Sequence, residues 1–359
     1  MPLCLDSTYS TDSRAVRMKW LPAKHPGEFN DRFSKCITIG LINNMPDGAL
    51  DATEHQFVSL LDSASQGMLV RLSFHTLTNV PRNELGTRHI AKFYSSAEQL
   101  SSRKLDGLIV TGREPLTPNL RDEPYWSSLT KVVDWAKENT HSTIWSCLAA
   151  HSALLHLDGI SRVRSTNKHC GVFACDRISD HPLTANAPSS FKLPHSRWNG
   201  IPEEALSHRG YSVLTRAADA GVDTFVKQHK SLFVFFQGHP EYESDTLLLE
   251  YRRDIGRYFR GEAPTCPLMP QGYFDPNATA ALNALREEAT SRPRENLLAE
   301  ITSILEQSTI ENTWRSTATC IYRNWLEYLC AQKQLLSKNT HLSRQPSQQP
   351  SWVQPPLSF

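Results

Sequence analysis

The sequence has no apolar run near the roughly 18 consecutive residues that a membrane-spanning helix requires. Its opening residues hold Asp6, Asp12 and scattered Ser and Arg without an apolar core, so no secretory signal is expected either. An excess of one charge is also missing. With 38 Lys and Arg against 37 Asp and Glu, the formal net charge is +1, which removes the electrostatic case for nucleic acid or an anionic membrane as partner. The eight cysteines, at positions 4, 36, 147, 170, 175, 266, 320 and 330, form no C-x-x-C pair and no zinc-like Cys/His spacing. They read as reduced, mostly structural thiols, so a cytoplasmic location and no metal are expected. There is no internal repeat.

What the 359 residues do hold, at 39% hydrophobic and 21% charged, suffices for one large core or two smaller ones. Residues 1–34 are polar and read as an irregular leader. From 35 to 262 apolar strand-like runs alternate with helical periodicity: Cys36 to Asn43, a helix from Asp51 to Leu61, Leu69 to Phe74, a helix near Ile90 to Leu100, Leu105 to Val110, a helix from Tyr125 to Glu138, and Ser142 to Ser146. That order predicts an α/β domain with a mainly parallel sheet and helices on both faces. Shorter strands follow Gly159, and they either finish that sheet or form an antiparallel addition. Residues 263–332 read as a C-terminal helical extension packing on the domain, with an exposed helical insertion. Residues 333–359, rich in Ser, Gln, Pro and Lys, are predicted to be disordered.

Ligands of such sheets bind beyond the carboxyl ends of the strands, and one cysteine falls there. Ser142-Thr-Ile-Trp-Ser-Cys147 is a buried-strand pattern followed at once by an Ala/Leu helix, whose amino end stabilises a thiolate and an oxyanion. Downstream, Leu232-Phe-Val-Phe-Phe-Gln-Gly-His239-Pro-Glu241 is a second apolar run that ends on a histidine and a carboxylate. Cysteine, histidine and acid at strand ends make a nucleophile, a base and an orienter. Taken alone, a strand-end cysteine is more often a small buried hydrophobe, and His239-Pro-Glu241 reads equally as an ordinary turn. His151, one helical turn beyond Cys147, reads as a core histidine, and Cys170 and Cys175 as structural thiols.

Colinear strings across residues 36 to 330 supply context: Asn44-Met-Pro46 with Thr53-Glu54, Lys92-Phe-Tyr94, Leu105 to Gly112, Tyr125-Trp126, Gly171-Val-Phe173, Pro194-His-Ser-Arg197, Gly238-His-Pro-Glu-Tyr242, Tyr251 with Arg253-Asp254, Trp314-Arg-Ser316 and Asn324-Trp-Leu-Glu-Tyr328. Together they resemble the homoserine O-acyltransferases (O-succinyl or O-acetyl), which share the class I glutamine amidotransferase-like fold. The resemblance implies a ping-pong acyl transfer with no bound cofactor. An acyl-CoA, succinyl-CoA or acetyl-CoA, acylates Cys147, and the hydroxyl of homoserine or a related hydroxy-amino acid accepts the group, with His239 as base and Glu241 holding the imidazole. Lys168, Ser196 and Arg253 match substrate-pocket positions, and Arg253 suits a substrate carboxylate. The partners implied are small-molecule substrates, with a homodimer as a compatible assembly.

Three departures stand out. Asp47-Gly48 follows the Asn-Met-Pro string where the family usually carries lysine, Leu148-Ala149 replaces a Trp-Gly pair after the cysteine, and Arg113-Glu114-Pro115-Leu116 replaces the usual Ala-Pro string. They leave two alternatives open: a glutamine or amide hydrolase of the same fold, and a non-catalytic metabolite-binding relative.

Overall fold

A computed structural model describes residues 3–5, 36–291 and 296–342. In chain order its elements are β1 (Leu3–Leu5), β2 (Ile37–Ile42), α1 (Leu50–Ser65), β3 (Val70–Thr76), α2 (Glu84–Phe93), β4 (Ser95–Ser96), β5 (Gly107–Val110), α3 (Trp126–Asn139), β6 (Ser142–Ser146), α4 (Leu148–Asp158), β7 (Val163–Arg177), β8 (Ser190–Gly200), α5 (Glu203–Ser207), β9 (Ser212–Val213), β10 (Thr215–Ala217), β11 (Gly221–Val222), β12 (Thr224–Gln228), β13 (Leu232–Phe236), α6 (Thr246–Phe259), α7 (Pro276–Ser291), α8 (Leu297–Gln307) and α9 (Arg315–Leu342).

The main sheet runs β1-β3-β2-β5-β6-β13-β12-β9, with β4 beside β3. Neighbours from β1 to β13 are parallel, and β12 and β9 add antiparallel rungs. Its strands are buried on both faces, which is why they read as continuous apolar runs. The period of two divides them: Ile37, Ile39, Leu41, Ile144, Val234 and Phe236 pack with α1 and α9, while Ile42, Leu108, Val110, Trp145, Phe233 and Phe235 pack with α3 and α4. No helix among the described residues is long and apolar enough to cross a membrane.

The shorter strands do both things left open by the sequence. β9, β12 and β13 finish the main sheet, while β7, β8, β10 and β11 make a separate antiparallel sheet. The Pro-rich stretch before Asp275 crosses behind β7, where Gln271 N donates to Cys170 O at 2.9 Å and Val172 N donates to Gln271 O at 2.8 Å. Gly171, with φ of 146°, permits this approach, because a Cβ there would stand 2.3 Å from Gln271 O.

Three sequence expectations need correction. Within the leader, Leu3–Leu5 forms an edge strand parallel to β3, anchored by the buried Leu3; the rest of the leader lies outside the described residues. The segment expected to be an exposed insertion buries Leu282, Ala289, Leu297, Ile301 and Leu305 against Tyr251 and Ile255 of α6. Its polar residues dominate the sequence while its apolar ones share one stripe. The tail predicted to be disordered from 333 begins inside α9, which continues to Leu342; Lys333 Nζ fastens it to Asp106 at 2.8 Å and to Cys36 O at 2.7 Å. Residues 343–359 lie outside the described residues.

Candidate active site

Cys147 ends β6 and caps α4 with φ 50° and ψ −111°, a conformation L-residues rarely adopt. Such a conformation costs of the order of 1–3 kcal/mol and persists only where the surroundings over-determine it, as they do here. Its N–H donates to Phe236 O at 2.7 Å, and its carbonyl accepts from Ala150 N at 3.0 Å and His151 N at 3.3 Å. The elbow lifts the sulfur to the amino end of α4, where the first N–H groups have no helical acceptor. Leu148 does not obstruct it. The side chain is buried against Gly112, where an added Cβ would lie 2.5 Å from Leu148 Cβ and 2.7 Å from Ala149 N. The bulk on one side of the elbow is matched by the missing side chain on the other.

Parallel pairing of Phe236 with Ser146 sets the turn after β13 beside that elbow. Gln237 N donates to Asp223 O at 3.0 Å, Gly238 N to Asp223 Oδ1 at 3.0 Å, and His239 N to Pro194 O at 2.8 Å, so three main-chain groups fix the histidine. His239 Nδ1 lies 2.8 Å from Glu241 Oε1, and its ring stacks on Tyr242 at 4.2 Å. With Nδ1 turned to the carboxylate, Nε2 is left for the thiol. Burial alone lowers the basicity of His239, but the Glu241 carboxylate and the charge and hydrogen bonding of Cys147 outweigh it and hold the imidazole well above its ordinary range.

A charged cluster adjoins this line. Lys168 Nζ on β7 lies 3.0 Å from Asp254 Oδ2 and 3.9 Å from Glu250 Oε2. Ser196 on β8 donates to Glu250 Oε2, and Tyr242 OH donates to Glu250 Oε1 at 2.6 Å. Arg253, half-exposed, pairs with Asp254 Oδ1 at 2.8 Å. Burial raises the Asp254 pKa, but Lys168 and Arg253 overcome it and the net direction is down. Burial likewise lowers Lys168, and Cys170, Glu250 and Asp254 reverse it to a net rise.

All six residues singled out from sequence therefore fall into two contiguous groups: Cys147, His239 and Glu241, then Lys168, Ser196 and Arg253. His151 is placed apart from the chemistry. Its Nε2 faces Gln237 Oε1 at 3.1 Å, and burial pushes its pKa down to about 3, so it is neutral near pH 7. Burial pushes the Cys170 thiol up to about 11 and raises that of Cys175 further.

The sequence reading gave no site role to Glu250 or Tyr242, although Tyr242 closes the Gly238–Tyr242 string. Glu250 was detectable, since it shares a helical face with Arg253 and Asp254 at spacings of three and four. The Asn-Met-Pro loop is clamped by a cation from elsewhere: Arg82 pairs with Asp47 at 3.2 Å and donates to Asn43 O at 3.2 Å and to Met45 O. Motif residues Glu54 and Tyr94 serve as braces, with Tyr94 OH donating to Glu54 Oε1 and accepting from Asn43 Nδ2 at 3.0 Å.

A family profile described as homoserine O-succinyltransferase matches residues 28–336. The chain is 47% identical over 333 residues to a protein of Rhodopseudomonas palustris named homoserine O-succinyltransferase, covering 92% of this chain and 100% of that one. A protein of the same name from Methylorubrum extorquens is 44% identical over 290 residues, covering 81% of this chain and 86% of its own. Among solved structures, a glutamine amido transferase from Methylobacillus flagellatus aligns with a TM-score of 0.46 at 15% identity, over 82% of this chain and 95% of that chain.

Proposed function

Because the chain belongs to the homoserine O-succinyltransferase family and is an acyltransferase, we propose that it moves a succinyl group from succinyl-CoA through a thioester on Cys147 to the hydroxyl of homoserine. The observation that carries this reading is the buried His239–Glu241 contact of 2.8 Å beside a cysteine held at a positive-φ elbow.

The raised basicity of His239 directs the proton of the pair to its ring as the sulfur attacks. The thiolate attacks the thioester carbonyl of the donor, forming the new S–C bond, and the amino end of α4 faces the oxyanion that develops. Collapse expels the CoA sulfur, which takes the imidazolium proton and leaves as free thiol. Neutral His239 then removes the acceptor hydroxyl proton as its oxygen attacks the acyl carbon. Cys147 departs with the bonding electron pair, and the proton taken from the hydroxyl again serves the Cys147–His239 pair. Glu241 keeps the ring oriented and stabilises its protonated form in both halves.

The acceptor's carboxylate is assigned to Lys168 and Arg253, which share Asp254, and its ammonium to Glu250. A substrate carboxylate would enter by displacing that internal anion from one cation, an exchange of like for like that costs little desolvation. Intact-protein mass measurement after incubation with succinyl-CoA, acetyl-CoA and free CoA tests the reading. A succinyl adduct on Cys147 that discharges on adding homoserine is expected. Turnover without any adduct, with kinetics requiring both substrates bound together, would defeat the ping-pong route.

A further inference from the structure

Arg162, immediately before β7, is a cation with unused capacity. Its Nη2 donates to Pro118 O at 3.3 Å, while Nη1 is buried and has no hydrogen-bond partner among the described residues. The nearby Glu123 carboxylate favours the charged guanidinium without a direct contact, and its Oε2 is likewise buried without a hydrogen-bond partner among the described residues. Glu123 Oε1 is taken by Leu116 N at 2.7 Å, Thr117 N at 2.8 Å and Thr117 Oγ1 at 2.9 Å, and Glu123 makes no ion pair with Arg162 among the described residues. The peptide segment Leu116–Pro118 is thus clasped by Glu123 on one side and Arg162 on the other. This segment continues directly from Gly112, which packs on the Cys147 elbow. Arg162 and the Cys147 sulfur lie within electrostatic reach of each other.

A guanidinium stays charged in any protein environment, and a buried donor left without an acceptor is costly. Its retention beside a nucleophile calls for an anion that arrives with the ligand. A succinyl donor brings one: a terminal carboxylate two methylenes beyond the thioester carbon that Cys147 would attack. We propose that Arg162 receives this carboxylate through Nη1 and so selects a dicarboxylic acyl group over an uncharged one. The inference rests on the reading that an acyl-CoA is the donor. The phosphates of CoA share the anionic chemistry, but the Glu123 carboxylate beside the guanidinium favours a singly charged ligand over a doubly charged phosphate. The open Arg164–Trp198 pair, 4.5 Å from cation to ring, lies on the exposed strand surface instead.

The test compares two donors that differ only at this group: succinyl-CoA, and butyryl-CoA, which has a methyl in place of the carboxylate. In full-length Arg162→Gln, kcat/KM for succinyl-CoA should fall about tenfold to a hundredfold, as for loss of a charge-assisted contact, while that for butyryl-CoA stays within about twofold. Arg162→Lys should recover part of the succinyl rate, and the butyryl rate reports whether the protein is folded. Equal loss with both donors would assign Arg162 to CoA phosphate or to the fold, and an unchanged donor ratio would leave it no role in selection; either result overturns the proposal. The ratio is read in steady-state turnover and needs no acyl-cysteine. A collapsed ratio without any Cys147 adduct would therefore sink the covalent mechanism and keep this inference, and an adduct with an unchanged ratio would do the reverse.

Discussion

Around Cys147 and His239, position is set by main chain: Cys147 N to Phe236 O at 2.7 Å, His239 N to Pro194 O at 2.8 Å, and a glycine at 112 that lets the elbow close. Around Lys168, Ser196 and Arg253 it is set by side chains: Lys168 and Arg253 on Asp254 at 3.0 and 2.8 Å, with Ser196 and Tyr242 on Glu250. Main-chain bonds within a packed sheet cannot re-pair without local unfolding. Ion pairs can exchange partners when a zwitterion arrives. On the proposed route the first half-reaction thus meets a preformed geometry, and the second meets a charge arrangement that substrate rearranges.

The comparison breaks most severely at the sulfur. Cys147→Ala should abolish both acyl loading and turnover, because the buried, high-pKa thiols of Cys170 and Cys175 lie at no comparable elbow; full activity in this variant would refute covalent transfer. Next is Glu241→Gln, which keeps the shape but removes the largest influence raising His239. Turnover should drop about a hundredfold or more, and the alkaline limb of the pH–rate profile, where the imidazolium is lost, should move to lower pH. An unmoved limb would mean that another group titrates there.

Arg253 tests the other wall. Arg253→Lys should leave loading of Cys147 intact and slow discharge to homoserine about tenfold to a hundredfold, since an ammonium lacks the planar fork. Single-turnover traces separate the steps, and slow loading with normal discharge would place Arg253 on the donor side. The smallest effect concerns stability. His151, beneath the elbow, has its folded pKa depressed from 6.5 to about 3, so the unfolded chain binds the extra proton between those values and stability falls as pH drops through that window. Asp254, depressed below 3.8, releases its contribution only at lower pH. Urea midpoints between pH 7 and 4.5 should therefore decline less in His151→Gln than in the parent; equal slopes would assign the acid sensitivity to other groups, such as the buried His195.

The same contrast explains what could be read from sequence. β5 and β13 are apolar runs and β2 and β6 are short runs with only small polar residues among the apolar ones, so the parallel sheet and the placement of Cys147 and His239 followed from burial on both faces and from strand-end chemistry. β7 is exposed or partly exposed between Val163 and His169, so this stretch gave no strand pattern, and the sequence left open whether the shorter strands join the main sheet or form a second one. The acceptor cluster joins Lys168 to Asp254 and Ser196 to Glu250 across β7, β8 and α6. Contacts between elements remote in sequence leave no local pattern, so the resemblance gave Lys168, Ser196 and Arg253 a pocket role but none to Glu250 or to the adjoining Asp254. The length of α9 was misread for a similar reason: beyond Trp325 and Leu329 its hold on the body of the protein passes to Lys333.

That helix sets the timetable of synthesis. Trp314 Nε1 donates to Tyr242 O at 2.8 Å, next to the histidine turn, and Trp325 Nε1 donates to Ser142 Oγ at 2.9 Å, at the start of the strand that bears the cysteine. A nascent chain still on the ribosome already contains every reacting group once residue 254 has been added, yet the face of the sheet beneath them stays open until residues 314–333 emerge. Contacts of such long sequence separation form late. Competence for acyl transfer should therefore arise only after residues 314–333 have emerged, and until then the uncovered apolar strands are the surface a chaperone would hold.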